Sequence, residues 1–301
     1  MPAQTGAFQI KFTQRSPLSD YSLFVQRFNV TRDQLGPDYK IEDHPFALYI
    51  PPDYDPSKAL GILVYEVPDG TPQIDPLLHP VLDRHRLIMV GINADHPVLG
   101  MGAGLCLDAV FNLQQRYEVD SSRIYLIGCG LWTEPIGWCT GDVCTGDTYI
   151  SYIGWYRPIL KNPPVFNITP PEKMLRFAKT RPQVLSFDPD PTQDWFHKAA
   201  AAAMINSGFE HVFINQFGGL SPEWFDQVLK LMESVHAPAH GIAATQPAPD
   251  QPQRLLNLAQ AYINSSRSDL ARTKLDQVIE KYPTTDAARK ARELLDQINA
   301  Q

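Results

Sequence analysis

Three stretches of this chain are apolar at nearly every position: Gly61–Tyr65, Leu87–Ile92 and Arg123–Ile127. A strand with one face in water alternates apolar and polar side chains. A strand that is apolar throughout must be covered on both faces, as in a mostly parallel sheet with helices packed on either side. Two later runs, Gln183–Phe187 and His211–Asn215, read as further strands of the same sheet. Phe8–Phe12 alternates as an edge strand would, and Phe46–Ile50 stops at Pro51-Pro52, which cannot donate to a ladder.

Helical periodicity fills the gaps. Leu105, Ala109, Leu113 and Arg116 repeat at near-helical spacing over 105–117. A second helix is expected over Trp195–Ser207, ended by Gly208, and a third opens at Pro222 with Ser221 as its N-cap. The fold class is therefore α/β over residues 1–237. Between 238 and 253 the chain turns to Pro, Ala, Gly and Gln, a composition that buries too little surface to offset its ordering entropy and reads as a linker. Residues 254–301 are helical in pattern.

The chain has 301 residues, a 44% hydrophobic share and a formal net charge of -7, with a pI of about 5.6. With no cluster of Lys and Arg to track phosphates, nucleic-acid binding is excluded as a reading. No apolar run approaches the roughly 18–20 residues of a membrane span. The start, Met1-Pro2-Ala3-Gln4-Thr5-Gly6, lacks the basic and apolar regions of a signal peptide. Cys106, Cys129, Cys139 and Cys144 form no CxxC pair and suit no zinc site. Cys139 and Cys144 are close enough in sequence for a small disulfide loop in an oxidising compartment; buried thiols are the favoured alternative. No cofactor or metal is expected, since Asp142 and Asp147 lack EF-hand spacing. Gly100–Gly104 is no phosphate-binding fingerprint and reads as a flexible approach to the following helix.

Strand, Asp120-Ser121-Ser122-Arg123-Ile124-Tyr125-Leu126-Ile127-Gly128, tight turn, helix, together with Ala47-Leu48-Tyr49-Ile50-Pro51-Pro52-Asp53-Tyr54-Asp55-Pro56, resembles the poly-hydroxyalkanoate depolymerase and feruloyl-esterase type of the α/β-hydrolase superfamily. The resemblance covers roughly residues 45 to 235. It implies an α/β-hydrolase sheet and a serine at the centre of a G-x-S-x-G elbow. Here the matching stretch is Gly128-Cys129-Gly130-Leu131-Trp132, so Gly130 stands at the nucleophile position. The resemblance places the acid at Asp188 or Asp190. It places the base at Gly219, in Gly218-Gly219-Leu220-Ser221-Pro222-Glu223-Trp224-Phe225, and all eight histidines lie elsewhere. In the oxyanion segment, Val64–Gly70, Pro68 has no N–H and Glu66 brings a charge of the wrong sign.

A triad acts as a unit, and without its nucleophile little chemistry remains. The expected function is a non-catalytic hydrolase-like scaffold for protein binding or assembly. The rival is a carboxylic-ester hydrolase using Cys129, one residue early, with His96 as its least implausible base. A third reading is a carbohydrate-binding module. Trp132, Trp138, Trp155 and Tyr156 lie after the elbow, where the resemblance puts the border of the cleft, and would line a small-ligand or glycan surface.

Residues 252–285 resemble a tetratricopeptide repeat, with Leu255, Leu258, Ala259, Tyr262, Ala271, Leu275, Val278 and Pro283 at the spacing of that roughly 34-residue pattern. Thr285–Asn299 would add a helix. Such a unit is shorter than the about three repeats that stand alone. Its apolar face, Tyr262 included, is expected to engage a protein partner or a second copy of the chain. The family's habits and the strand-like start favour an extracytoplasmic bacterial location, periplasmic or secreted, over the cytoplasm.

Overall fold

The computed structural model describes residues 4–28, 30–67, 71–93, 99–129, 143–151, 179–187, 201–202, 204–206, 208–217, 219–236, 252, 256, 259, 263 and 268–299. The chain divides into two compact units, Met1–Ala237 and Pro238–Gln301.

In the first unit the strands are β1 (Gly6–Ile10), β2 (Phe46–Ile50), β3 (Leu60–Val67), β4 (Leu87–Asn93), β5 (Val119–Cys129), β6 (Gly146–Ser151), β7 (Gln183–Phe187) and β8 (Val212–Gln216). They form one sheet in the order β1-β2-β4-β3-β5-β6-β7-β8. The β1–β2 and β2–β4 pairs are antiparallel and the others parallel. This is an α/β-hydrolase-type sheet. Among the described residues its helices include α1 (Tyr21–Phe28), α2 (His79–His85), α3 (Leu99–Gln114) and α4 (Pro222–His236), and residues 201–202 and 204–206 are also helical. The α4 N-terminus is capped as its sequence predicts, the Trp224 N–H donating to Ser221 Oγ at 3.2 Å.

Period-two alternation sorts the strand side chains onto two faces. Ile62, Val64, Ile88, Val90, Ile124 and Leu126 pack with α3 and the segment between β1 and β2. Leu63, Tyr65, Leu87, Met89, Tyr125 and Ile127 pack with α2 and α4. Nearly all are fully buried, each contributing roughly 1.5–3 kcal/mol relative to exposure.

The sequence reading is corrected in two places. Strand β6 fills a slot between β5 and β7 that was not expected, because Gly146-Asp147-Thr148 reads as loop chemistry. Helix α3 begins six residues before Leu105, taking in Gly100, Gly102 and Gly104. These glycines are no flexible approach: all three are buried. A Cβ on Gly100 would come within 2.5 Å of the Leu35 carbonyl oxygen, and one on Gly104 would strike the Tyr39 ring. The helix gives up local propensity at these positions so that the β1–β2 segment can lie against it.

That contact is fastened by Asp108 on α3, which is fully buried. Its Oδ1 accepts from the Ser16 N–H and Ser19 Oγ, each at 2.6 Å, and its Oδ2 accepts from Tyr39 Oη at 2.6 Å. The Arg15 guanidinium lies over the Tyr39 ring at 4.1 Å. Burial pushes the Asp108 carboxyl up to about 6, outweighing the hydrogen bonds from Ser19, Tyr39 and Ser16. The thiols of Cys106 and Cys144 are also buried here, and neither is in a disulfide. Cys144 has the sulfur of Cys106 at 3.9 Å and is a buried thiol, the favoured reading from sequence; Cys139 lies outside the described residues.

On the opposite face a second polar cluster joins α2, α4 and β5. The His85 ring contacts Glu233 Oε2 through Nδ1 at 2.9 Å and Asp226 Oδ1 through Nε2 at 3.0 Å. Two carboxylates can only accept, so the ring donates from both nitrogens and is an imidazolium. Arg84 and Lys230 also reach Asp226, each at 2.6 Å, and Arg123 reaches Glu233 at 2.8 Å. Burial opposes the charged ring, but its hydrogen bonds to Glu233 and Asp226 prevail and raise the His85 pKa. The Asp226 carboxylate is held low, first by Lys230 and then by His85. Glu233 is lowered by His85 and Arg123 against its own burial.

In the second unit α5 (Ser268–Lys281) and α6 (Asp286–Asn299) pack on each other. Ala271, Leu275, Val278, Ala288 and Ala291 are fully buried. Thr285 caps α6 by accepting from the Ala288 N–H at 3.2 Å. Residues 252, 256, 259 and 263 are helical, and their 4-3-4 spacing puts them on one face. Among the described residues no helix is long and apolar enough to cross a membrane.

Two stability measurements test these clusters. Asp108→Ala leaves Tyr39 Oη, Ser19 Oγ and the Ser16 N–H without their acceptor and is expected to cost about 2–4 kcal/mol in urea unfolding. From pH 3.8 to about 6 the folded chain holds a proton that the unfolded chain has released, so this carboxyl's contribution falls as pH rises. Subtracting the Asp108→Asn curve from wild type isolates that limb. His85 behaves differently at its own pH: its contribution is complete below pH 6.5 and is lost as pH rises through its raised pKa. The Asp226 and Glu233 contributions are lost in acid, as pH falls through their lowered values. A melting temperature that declines with rising pH above 6.5 in wild type and stays flat in His85→Gln is the expected result; parallel curves would remove His85 from that role.

Candidate functional site

In an open parallel sheet the crevice for ligands lies beyond the carboxyl ends of two neighbouring strands whose onward connections leave in opposite directions. Here those strands are β3 and β5: β3 leads to β4 on one side, and β5 leads to β6 on the other. Their carboxyl ends are Val67 and Cys129. The ends of β3 and β5 therefore lie at the same edge of the sheet on neighbouring strands. Cys129 is the last residue of β5, and Gly130 follows it, just outside the described residues.

The rung at this level is set by backbone register. Cys129 is opposite Ile150 on β6, Ile150 opposite Ser186 on β7, and Ser186 opposite Asn215 on β8. One residue below the end of β3 lies Glu66, opposite Ile92 and only 2% exposed. A carboxylate there is poorly placed to help a developing oxyanion.

Of the residues singled out from sequence, Gly219 is described. It follows β8 with φ +93°, and an ideal Cβ on it would meet no heavy atom within 4 Å. Its backbone lies in the left-handed region, where an L side chain is strained even with open space around it. Gly130, Asp188, Asp190, His96, Trp132, Trp138, Cys139, Asp142, Trp155, Tyr156 and Tyr262 lie outside the described residues. His211 immediately precedes β8, at the strand end remote from the crevice, and His85 is committed to the α2–α4 cluster. Among the described residues no group of His, Cys, Asp and Glu could hold a metal ion.

The structure adds residues that sequence reasoning passed over. Phe217, Trp224 and Phe225 form an edge-to-face set, with Phe217–Trp224 centroids 5.2 Å apart and Trp224–Phe225 5.0 Å apart, and Tyr65 of β3 joins Phe225 at 6.3 Å. On the same side of the sheet, Ser186 Oγ, Asn215 Nδ2 and Trp224 Nε1 are buried atoms with no hydrogen-bond partner among the described residues. Ser186 is fully buried, and all three groups are able to donate. In sequence Ser186 and Asn215 stand only as polar interruptions, in Val184-Leu185-Ser186-Phe187 and Phe213-Ile214-Asn215, which do not by themselves mark a site.

No protein-family model matches the chain, and no curated protein matches it. Among solved structures it is similar to a serine-to-alanine variant of the feruloyl esterase module from Clostridium thermocellum complexed with sinapinate. That likeness has 12% identity, covers 66% of this chain and 86% of that one, and has a TM-score of 0.45. It is also similar to Thermogutta terrifontis esterase 2 phosphonylated by sarin, with 13% identity over 68% of this chain and 95% of that one and a TM-score of 0.41.

Because the space at Gly219 is open, replacing it tests the backbone alone. Gly219→Ala is expected to cost about 1–2 kcal/mol in urea unfolding with no change in the slope of the transition. A cost near zero would show that the loop relaxes to a conformation any residue can adopt, and that a histidine there is tolerated.

Proposed function

We propose that the first unit is an α/β-hydrolase-type scaffold without ester-hydrolase activity, serving to bind a ligand or protein at the carboxyl ends of its sheet. The observation that carries this reading is Gly219: the position where the family resemblance calls for the base is a glycine on left-handed backbone. Gly130 at the nucleophile position agrees with it. With neither an attacking oxygen nor a proton acceptor, the acid at Asp188 or Asp190 has nothing to orient. The partnerless donors Ser186, Asn215 and Trp224 and the neighbouring aromatic set support a ligand that offers acceptor oxygens beside an apolar face.

The second unit, joined through a 238–253 linker, is read as a tetratricopeptide-like module for a protein partner or self-association. The buried seam of Ala271, Leu275, Val278, Ala288 and Ala291 supports two closely packed helices of that kind.

A second reading, a carboxylic-ester hydrolase, rests on Cys129 being the last residue of β5 at the point where the strand order reverses. A panel of p-nitrophenyl and feruloyl esters separates the two. The scaffold reading expects rates equal to the uncatalysed controls for wild type and Cys129→Ala alike. Turnover in wild type that Cys129→Ala abolishes would replace it with the thiol hydrolase.

A further inference from the structure

We propose that Cys106 and Cys144 are a redox pair that closes into a disulfide under oxidising conditions, tying α3 to the start of β6. Their sulfurs are 3.9 Å apart, within weak S–H···S contact, although 38 positions separate them in sequence. Both side chains are buried, at 0% and 2% exposure, in one apolar cluster. A disulfide needs a sulfur separation of about 2.05 Å, so the sulfurs must close by roughly 1.9 Å.

The backbones that carry the pair are held. Cys106 is inside α3. Next to Cys144, the Thr145 N–H donates to the Ile124 carbonyl at 2.6 Å, and Thr145 Oγ1 donates to the Ser122 carbonyl at 2.8 Å while accepting from the Ile124 N–H at 3.0 Å. Arg181 Nη1 donates to the Cys144 carbonyl oxygen. The sulfurs thus meet through side chains mounted on fixed supports, a juxtaposition not available to residues on free loops. The bond would enclose the rest of α3, all of β5 and the elbow sequence Gly128–Trp132 in one covalent loop.

With a low-molecular-weight disulfide such as oxidised glutathione as oxidant, one protein thiolate attacks a glutathione sulfur. A mixed disulfide forms and one glutathione leaves as thiol. The second protein thiolate attacks the protein sulfur of that bond and expels the other glutathione. The protein loses two protons and two electrons, and both glutathiones carry them away as thiols.

The test is to equilibrate the full chain in glutathione mixtures of rising oxidised fraction, at a urea concentration just below the unfolding midpoint, where local opening exposes buried thiols. Alkylation and non-reducing peptide mapping then identify the linked residues. The expected product joins the Cys106 and Cys144 peptides with loss of two hydrogens, and raises the melting temperature by roughly 5–10 °C over the reduced chain. Cys129→Ala and Cys139→Ala should leave that product intact, while Cys106→Ala should abolish it. Linkage of Cys144 to Cys139 or Cys129, or full alkylation of Cys106 and Cys144 in the most oxidising mixture, would overturn the proposal. The wild-type map decides this even if Cys106→Ala fails to fold.

Discussion

Burial of a parallel sheet on both faces is the constraint from which the rest of the first unit follows. Backbone groups inside the sheet are satisfied by ladder partners, and side chains on either face must find apolar cover. Polar chemistry is thereby pushed to the strand ends, and the reversal of strand order between β3 and β5 selects one set of ends as the crevice. Two clusters of buried polar groups away from those ends are closely knit. Asp108 receives three hydrogen bonds, and His85 lies between two carboxylates. Near the crevice, Ser186 Oγ, Asn215 Nδ2 and Trp224 Nε1 have no partner among the described residues, as is also true of His79 Nε2 and Tyr125 Oη elsewhere. Orphaned donors inside a protein cost free energy, and they persist where something outside the fold can satisfy them.

The strands of the sheet centre were legible because double-sided burial leaves a plain mark on sequence: β3, β4 and β5 each contain a continuous apolar run. β6 left no such mark. Its opening Gly146 is squeezed among Met232, Tyr125 and Pro182, with a Cβ there meeting each at 3.1–3.2 Å. Packing therefore demands the residue that propensity reads as loop. The front of α3 was hidden for the same reason. Glycine lowers helix propensity, yet Gly100 and Gly104 are where Tyr21, Leu35 and Tyr39 must approach. In both cases tertiary contact chose a residue against its local preference, which a reading of local pattern cannot anticipate.

The site was legible to a different depth. Family resemblance pointed to Gly130 and Gly219 as positions, and register places the elbow strand's end, Cys129, beside the reversal of strand order. Sequence could not say why Gly219 is glycine. Its positive φ gives a backbone reason for glycine there. Nor could sequence single out Ser186, since an isolated serine in an apolar run is as compatible with a satisfied hydroxyl as with an orphaned one. That distinction depends on which groups face it across the sheet, and register alone supplies it.

The polar clusters that hold the first unit together lie away from the crevice. The His85 cluster lies at the amino ends of the strands: Arg123 is in the first half of β5, and the Arg86 carbonyl accepts from the Gly61 N–H at the start of β3. The Asp108 cluster faces away along α3, toward the β1–β2 segment. Neither shares a residue with Gly219, Cys129, Ser186 or Asn215. Substitutions separated in this way are close to additive in free energy, so the elbow and the base loop could change without drawing on the interactions that hold the sheet to its helices. Cys106 and Cys144 differ in that respect, because the segment between them contains the elbow itself. A bond between them would couple the stability of α3 to the return of the chain from the crevice.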